Sequence, residues 1–212
     1  MEISDIAHII NAPATPMSLF AQWFNEAKDL SDPKTFLNNM CLASRGDDDE
    51  ILNRNVLMKK HDDNGWVFVT ERNSVKYKNF MKYPRAAVTF LWNYIRNETV
   101  VTRQVRGVGK VAEVSEEEIA EFYKNEILHF KIRSQICRCG EPVVWNELKA
   151  SHDKVLNEYR NGTNALERGP HYTAMRIIPE KVDFYHGETN LIADRIEYTL
   201  ENGIWTNHHL AA

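Results

Sequence analysis

A chain of 212 residues with 43% hydrophobic and 26% charged residues has a globular composition and is long enough to bury a core without staples. Its net charge of −4 excludes a general nucleic-acid binder, which needs a basic footprint. No apolar run reaches the roughly 18–20 residues of a membrane span, and three cysteines, Cys41, Cys137 and Cys139, do not make a secreted disulfide framework.

Residues 1–14 form a short leading segment without the charged-then-apolar layout of a signal peptide, so the expected compartment is the cytoplasm. Ile6–Ile10 reads as a fraying helix. Thr15-Pro16 is an N-cap followed by proline at the first helical position. Leu19, Phe20, Trp23, Phe24 and Ala27 recur at helical spacing and predict an amphipathic helix over Pro16–Leu30. Thr35–Ser44 reads as a strand and Arg45–Glu50 as its turn. The acidic run Asp47-Asp48-Asp49-Glu50 lacks the ligand spacing and glycine of a calcium loop and reads as a solvated turn.

The stretch Arg54–Lys76 carries the densest signal. Val56–Met58 and Trp66–Val69 are apolar runs flanking Asp62-Asp63-Asn64-Gly65, and Asn-Gly between such runs predicts a hairpin. Arg54 and Lys59 bracket the first strand; Thr70, Ser74 and Lys76 follow the second, where a helix is expected from Ser74 onward. Cations and hydroxyls at strand ends, beside the free N–H groups of a helix start, suit an anchored phosphate. A charged surface hairpin would use the same residue types.

Ser74–Met81 reads as a short helix stopped by Tyr83-Pro84. Ala86–Trp92 is an apolar strand, Asn93–Thr102 a polar connection, and Arg103–Val114 a strand whose Gly107 and Gly109 signal a bulge or close backbone approach. Ser115 caps the next helix, with Glu118 completing a capping box and Ile119, Phe122 and Tyr123 as its apolar face. Ile127–Gly140 has no readable period. Glu141–Tyr159 is helical and closes at Asn161-Gly162. Strands follow at Thr173–Ile178, Lys181–His186, Asp194–Leu200 and Ile204–His208, the last two joined by Glu201-Asn202-Gly203. No linker or repeat interrupts the chain, so a single domain over 1–212 is expected, with 115–160 a helical insertion and 172–212 the C-terminal strands. Strands at this density, joined by hairpins, predict a mainly β, α+β fold built on a small antiparallel barrel.

Other constellations carry less. Cys137-Arg138-Cys139 lacks the second pair a structural zinc needs; it is either a redox pair or two incidental thiols. His208-His209 reads as a solvated tail rather than a ligand pair. There is no nucleophile elbow, dinucleotide glycine fingerprint or P-loop.

The residue order from Arg54 to Lys76 resembles the pyridoxamine/pyridoxine 5'-phosphate oxidase family, whose pattern is R-x-V-L-L-K, then D-x-x-G-x-x-F-x-T, then S-R-K. Trp92 with Arg103-Gln104-Val105-Arg106 and Gly109 resembles that family's W…R-Q-V-R-x-x-G. Ser134-Gln135-Ile136 and Phe184-Tyr185-His186-Gly187 with Asp194-Arg195 are similar to its S-Q-I and F-W-Q-G…D-R. The resemblance implies a six-stranded antiparallel split β-barrel with flanking helices, a homodimer, and flavin mononucleotide (FMN) in the cleft between protomers. Carried over by position, Arg54, Ser74 and Lys76 would hold the cofactor phosphate. Val56, Leu57, Lys59, Val69 and Thr70 would line its ring and ribityl chain, and Gln104, Tyr185 and Arg195 would contribute from later strands. Lys59 and Ser134 would bind a small phosphorylated pyridine substrate, oxidised to pyridoxal 5'-phosphate of vitamin B6 metabolism as dioxygen is reduced to hydrogen peroxide.

Departures from the pattern leave an alternative. Val75 removes one of two adjacent cations, and Tyr185 replaces a tryptophan. Leu191 and Ala193 replace an arginine and a histidine that contact substrate in the family, and neither can donate a hydrogen bond. Lys124, Lys131 and Arg133 are candidate substitute cations. The alternative is a divergent member that binds FMN or pyridoxal phosphate without this turnover, or a flavin oxidoreductase with a different substrate.

Overall fold

The computed structural model describes residues 4–212. Ile6–Ile10 is not helical. The first strand, β1 (Asp5–Ile6), lies parallel to β8 (Leu191–Ile192), and Ala7 N–H donates to Ile192 at 2.8 Å. A five-residue apolar run is too short to hold a helix against such pairing. α1 (Pro16–Leu30) is capped as expected, the Thr15 hydroxyl accepting from Ser18 N–H, and buries Leu19, Phe20, Trp23 and Ala27.

Six strands close into an antiparallel ring. They are β2 (Asn39–Arg45), β3 (Ile51–Asp62), β4 (Gly65–Glu71), β5 (Arg85–Arg96), β6 (Thr99–Glu113) and β7 (Tyr172–Glu188). Their order is β7-β4-β3-β2-β5-β6, and β6 pairs back to β7 to complete the split barrel. β9 (Asp194–Glu201) and β10 (Ile204–Leu210) extend the sheet beyond β7. Inside the ring Phe20, Trp66, Phe90 and Trp92 meet at centroid distances of 4.9–5.8 Å, the spacing at which aromatic rings attract beyond simple burial.

Several sequence boundaries move. β2 begins at Asn39, because residues 35–38 are taken up by turns. The polar connection expected over Asn93–Thr102 is instead the tip of the long β5–β6 hairpin. Tyr94 and Val101 are buried there, and the turn falls at Asn97-Glu98, both at positive φ. β7 is one strand, not two: a bulge opposite Val108-Gly109 leaves Glu180 without a partner, and Pro179 stands beside it in register with Gly109. At the first hairpin only Gly65, at φ 113°, takes positive φ, whereas Asn202 and Gly203 both do so between β9 and β10. His209 lies in β10 rather than in a solvated tail, with Nδ1 2.9 Å from Asp194 Oδ1.

α2 (Val75–Lys82) starts after Ser74 as expected. α3 (Glu116–Lys124) is capped by the Ser115 hydroxyl, but the Glu118 carboxylate does not complete a capping box. It accepts from Lys60 and Arg176 instead, each at 3.1 Å. The stretch without a readable period contains α4 (Leu128–Ile136), and the helix expected from Glu141 starts at Trp145 as α5 (Trp145–Arg160). No described helix is long and apolar enough to cross a membrane.

Candidate functional site: a cationic cleft on the first hairpin

The cleft, of about 270 Å³, lies where β3 and β4 meet α2 and α4. Strand alternation puts Arg54, Val56 and the bulged Lys59 on it from β3, and Val69, Thr70 and Glu71 from β4. The bulge is specific: Met58 pairs with Phe68 and Lys60 with Val67, so Lys59 has no partner across the ladder. An extra residue re-aims its side chain, and here that side chain enters the cleft.

One end is an anion cradle. Arg54 donates to the Leu42 carbonyl at 3.3 Å and the Ser44 hydroxyl at 2.8 Å. Lys76 Nζ donates to Thr70 Oγ1 at 3.2 Å, and Thr70 shares a hydrogen bond with Ser74 at 3.1 Å. Ser74 also caps α2 by accepting from Tyr77 N–H. Arg133 enters from α4, its guanidinium 5.2 Å from the Phe130 ring. Among the described residues none of these three cations forms an ion pair. Burial pushes the Lys76 ammonium below its ordinary value, and its Arg54 and Arg133 neighbours add to that effect. The buried Glu71 carboxyl is pushed up by desolvation, against the pull of Arg133 and Lys76. Three cations against one carboxylate, with two hydroxyls between them, match the donor set of a phosphate monoester.

The other end differs. Lys59 Nζ donates to Glu126 Oε1 at 2.8 Å, and the Glu126 side chain is only 2% exposed. Glu126 also accepts from Ile127 N–H at 3.2 Å and, through Oε2, from the Tyr172 hydroxyl at 3.1 Å. Burial first, and the Glu126 charge second, raise the Tyr172 phenol, which stays protonated as a donor.

The residues expected from the sequence therefore divide. Arg54, Val56, Leu57, Lys59, Val69, Thr70 and Lys76 line the cleft, and Ser74 sits directly behind Thr70. Gln104, Tyr185 and Arg195 lie elsewhere, side by side across β6, β7 and β9, with Arg195 bonded to Asp183 at 2.6 Å. Ser134 does not line the cleft; its hydroxyl donates to the Lys131 carbonyl at 2.8 Å. Lys131 itself turns to the Lys124 carbonyl. Leu191 sits in β8 against the leading segment. Cys137 and Cys139 are free thiols, and Cys139 reaches the cleft edge. Glu71, Glu126, Phe130 and Tyr172 were missed. Phe130 and Arg133 share a face of α4 at i,i+3, a pairing visible in the sequence once that helix is placed.

Residues 34–136 match the family model described as pyridoxamine 5'-phosphate oxidase, and residues 172–212 match the pyridoxine 5'-phosphate oxidase C-terminal dimerisation region. The pyridoxine/pyridoxamine 5'-phosphate oxidase of Bordetella petrii is 31% identical over 188 residues, covering 89% of this chain and 84% of that one. That of Myxococcus xanthus is 30% identical over 206 residues, covering 96% and 94%. The crystal structure of PhzG from Burkholderia lata superposes with a TM-score of 0.84 at 18% identity, covering 99% of this chain and all of that one. A pyridoxamine 5'-phosphate oxidase-related, FMN-binding protein from Nostoc punctiforme gives 0.71 at 15% identity, covering 92% of this chain. These two structures share the fold. With a cationic cleft at the hairpin and matched sequence on both sides of the helical insertion, the chain belongs to the pyridoxine/pyridoxamine 5'-phosphate oxidase family of oxidoreductases.

Proposed function

We propose that this chain is a cytoplasmic, homodimeric FMN-dependent oxidase that works at the cleft between β3, β4 and α4. The observation that carries the reading is the pair of cations without carboxylate partners, Arg54 and Lys76, flanked by the Thr70 and Ser74 hydroxyls. These side chains would hold the phosphate of the cofactor. Val56, Leu57 and Val69 would give its ring an apolar wall, as expected for a pocket with a few directed polar groups. Gln104, Tyr185 and Arg195 would reach the same cofactor from the partner protomer. Bound FMN supplies two-electron oxidation beside an amine or alcohol, with dioxygen as final acceptor. The protein's part is to orient the substrate and keep the cleft dry.

The family reaction, oxidation of pyridoxamine or pyridoxine 5'-phosphate to pyridoxal 5'-phosphate, is the first reading. A second, the same oxidation on a different substrate, is favoured by the Lys59–Glu126 pair, since Lys59 is the residue expected to meet the substrate phosphate. Anaerobic mixing of the FMN-loaded protein with pyridoxamine 5'-phosphate separates the readings. Loss of the flavin absorbance within seconds supports the family reaction, and an unchanged spectrum with excess substrate rejects it.

A further inference from the structure

The charges in the cleft leave room for one phosphate, not two. At the Arg54 end, Lys76, Arg54 and Arg133 feel one another's charge and that of Glu71, a surplus of two positive charges. That surplus matches a single phosphate dianion, which the proposed function assigns to the cofactor. At the opposite end Lys59 is neutralised by a carboxylate it touches at 2.8 Å, and that carboxylate is fixed by the Ile127 amide and the Tyr172 hydroxyl. With three donors already on its two oxygens, this carboxylate offers a second anion no donor, and its charge repels one brought close to it. The other residue expected to meet a substrate phosphate, Ser134, gives its hydroxyl to the Lys131 carbonyl.

We infer that the second ligand of this cleft is a planar ring compound without a phosphate, and that Glu126 is the residue that sets this specificity. Phe130 and Tyr172 offer ring faces and edges at that end, and Glu126 Oε2 can accept from an amine or hydroxyl on the ligand. The inference rests on the proposed function for the identity of the first ligand. It does not rest on Leu191 or Ala193, which do not line this cleft.

The test compares pyridoxamine with its 5'-phosphate, by equilibrium titration of FMN-loaded wild-type and Glu126→Gln protein. FMN affinity is measured first for both. Wild type is expected to bind pyridoxamine at least as tightly as the phosphate ester. Glu126→Gln, which frees Lys59, is expected to shift that ratio toward the ester by tenfold or more while FMN affinity stays within about twofold. A wild-type preference for the 5'-phosphate overturns the inference and leaves the FMN reading intact, and so does an unchanged ratio in a folded Glu126→Gln protein. Binding of neither ligand also overturns it. Absence of FMN binding overturns the proposed function and the inference together. Should Glu126→Gln fail to fold, the wild-type ratio alone decides.

Discussion

Gln104 and Tyr185 stand directly opposite one another on β6 and β7, on the outer face of the ring. Their strand neighbours Arg103, Val105, Phe184 and His186 are buried, so the alternation sends Gln104 and Tyr185 outward. Leu91, across from Gln104 on β5, is 58% exposed, and the facing pair Ile95 and Val100 are 65% and 51% exposed. An apolar strip beside Gln104 and Tyr185, which the proposed function assigns to the cofactor, is the surface a second protomer would cover. Leu91→Glu is therefore expected to convert a dimer to a monomer in sedimentation at micromolar concentration, and to weaken FMN uptake with it. A wild-type monomer, or a Leu91→Glu dimer with unchanged FMN affinity, would count against this assembly.

Gly109 tests the ring closure. A Cβ at this position would lie 2.0 Å from the Ile178 carbonyl oxygen, which is backbone and cannot swing away. Gly109→Ala is expected to lose about 1–3 kcal/mol of stability, read from the urea midpoint. A midpoint equal to wild type would mean that the β6–β7 bulge is looser than described.

His186 gives the fold a pH dependence. Burial and the adjacent Arg103 lower its imidazole to about 4, partly opposed by Glu188. In the unfolded chain histidine titrates near 6.5, so below that value the unfolded state binds the extra proton first. Stability is fully present above pH 6.5 and falls as pH drops toward 4, by a total on the order of 1–3 kcal/mol. Denaturant midpoints at pH 7 and pH 5 should differ for wild type and differ less for His186→Gln. Equal slopes for the two proteins would remove His186 as the cause.

The sequence made the hairpin, the capped α1 and most strand positions legible because each rests on local chemistry. Thr15-Pro16 sets a helix start, Asn-Gly sets a turn, and alternating Val and Phe set strand faces. Three features were not legible for one reason, namely that long-range pairing decided them. Ile6 became strand because β8 was there to pair with it. Asn93 stayed in a strand because the Thr102 hydroxyl donates to its amide oxygen at 2.8 Å across the hairpin. Pro179 did not break β7 because it pairs with Gly109 and the irregularity is taken up at Glu180 beside it. In the site, the β3 and β4 residues were readable from the family resemblance carried over by position. Glu126 was not, because its meaning comes from Lys59, 67 residues away in sequence.

The central claim is that the unpaired cations of the cleft hold the phosphate of FMN. Its most direct test is titration of the purified protein with FMN, following flavin fluorescence, for wild type and Arg54→Ala. Wild type is expected to bind one FMN per protomer, and Arg54→Ala to lose about 1.5–3 kcal/mol of binding free energy, the scale of a hydrogen bond to a charged group. No uptake by wild type at millimolar FMN, or an Arg54→Ala affinity equal to wild type, would contradict the account.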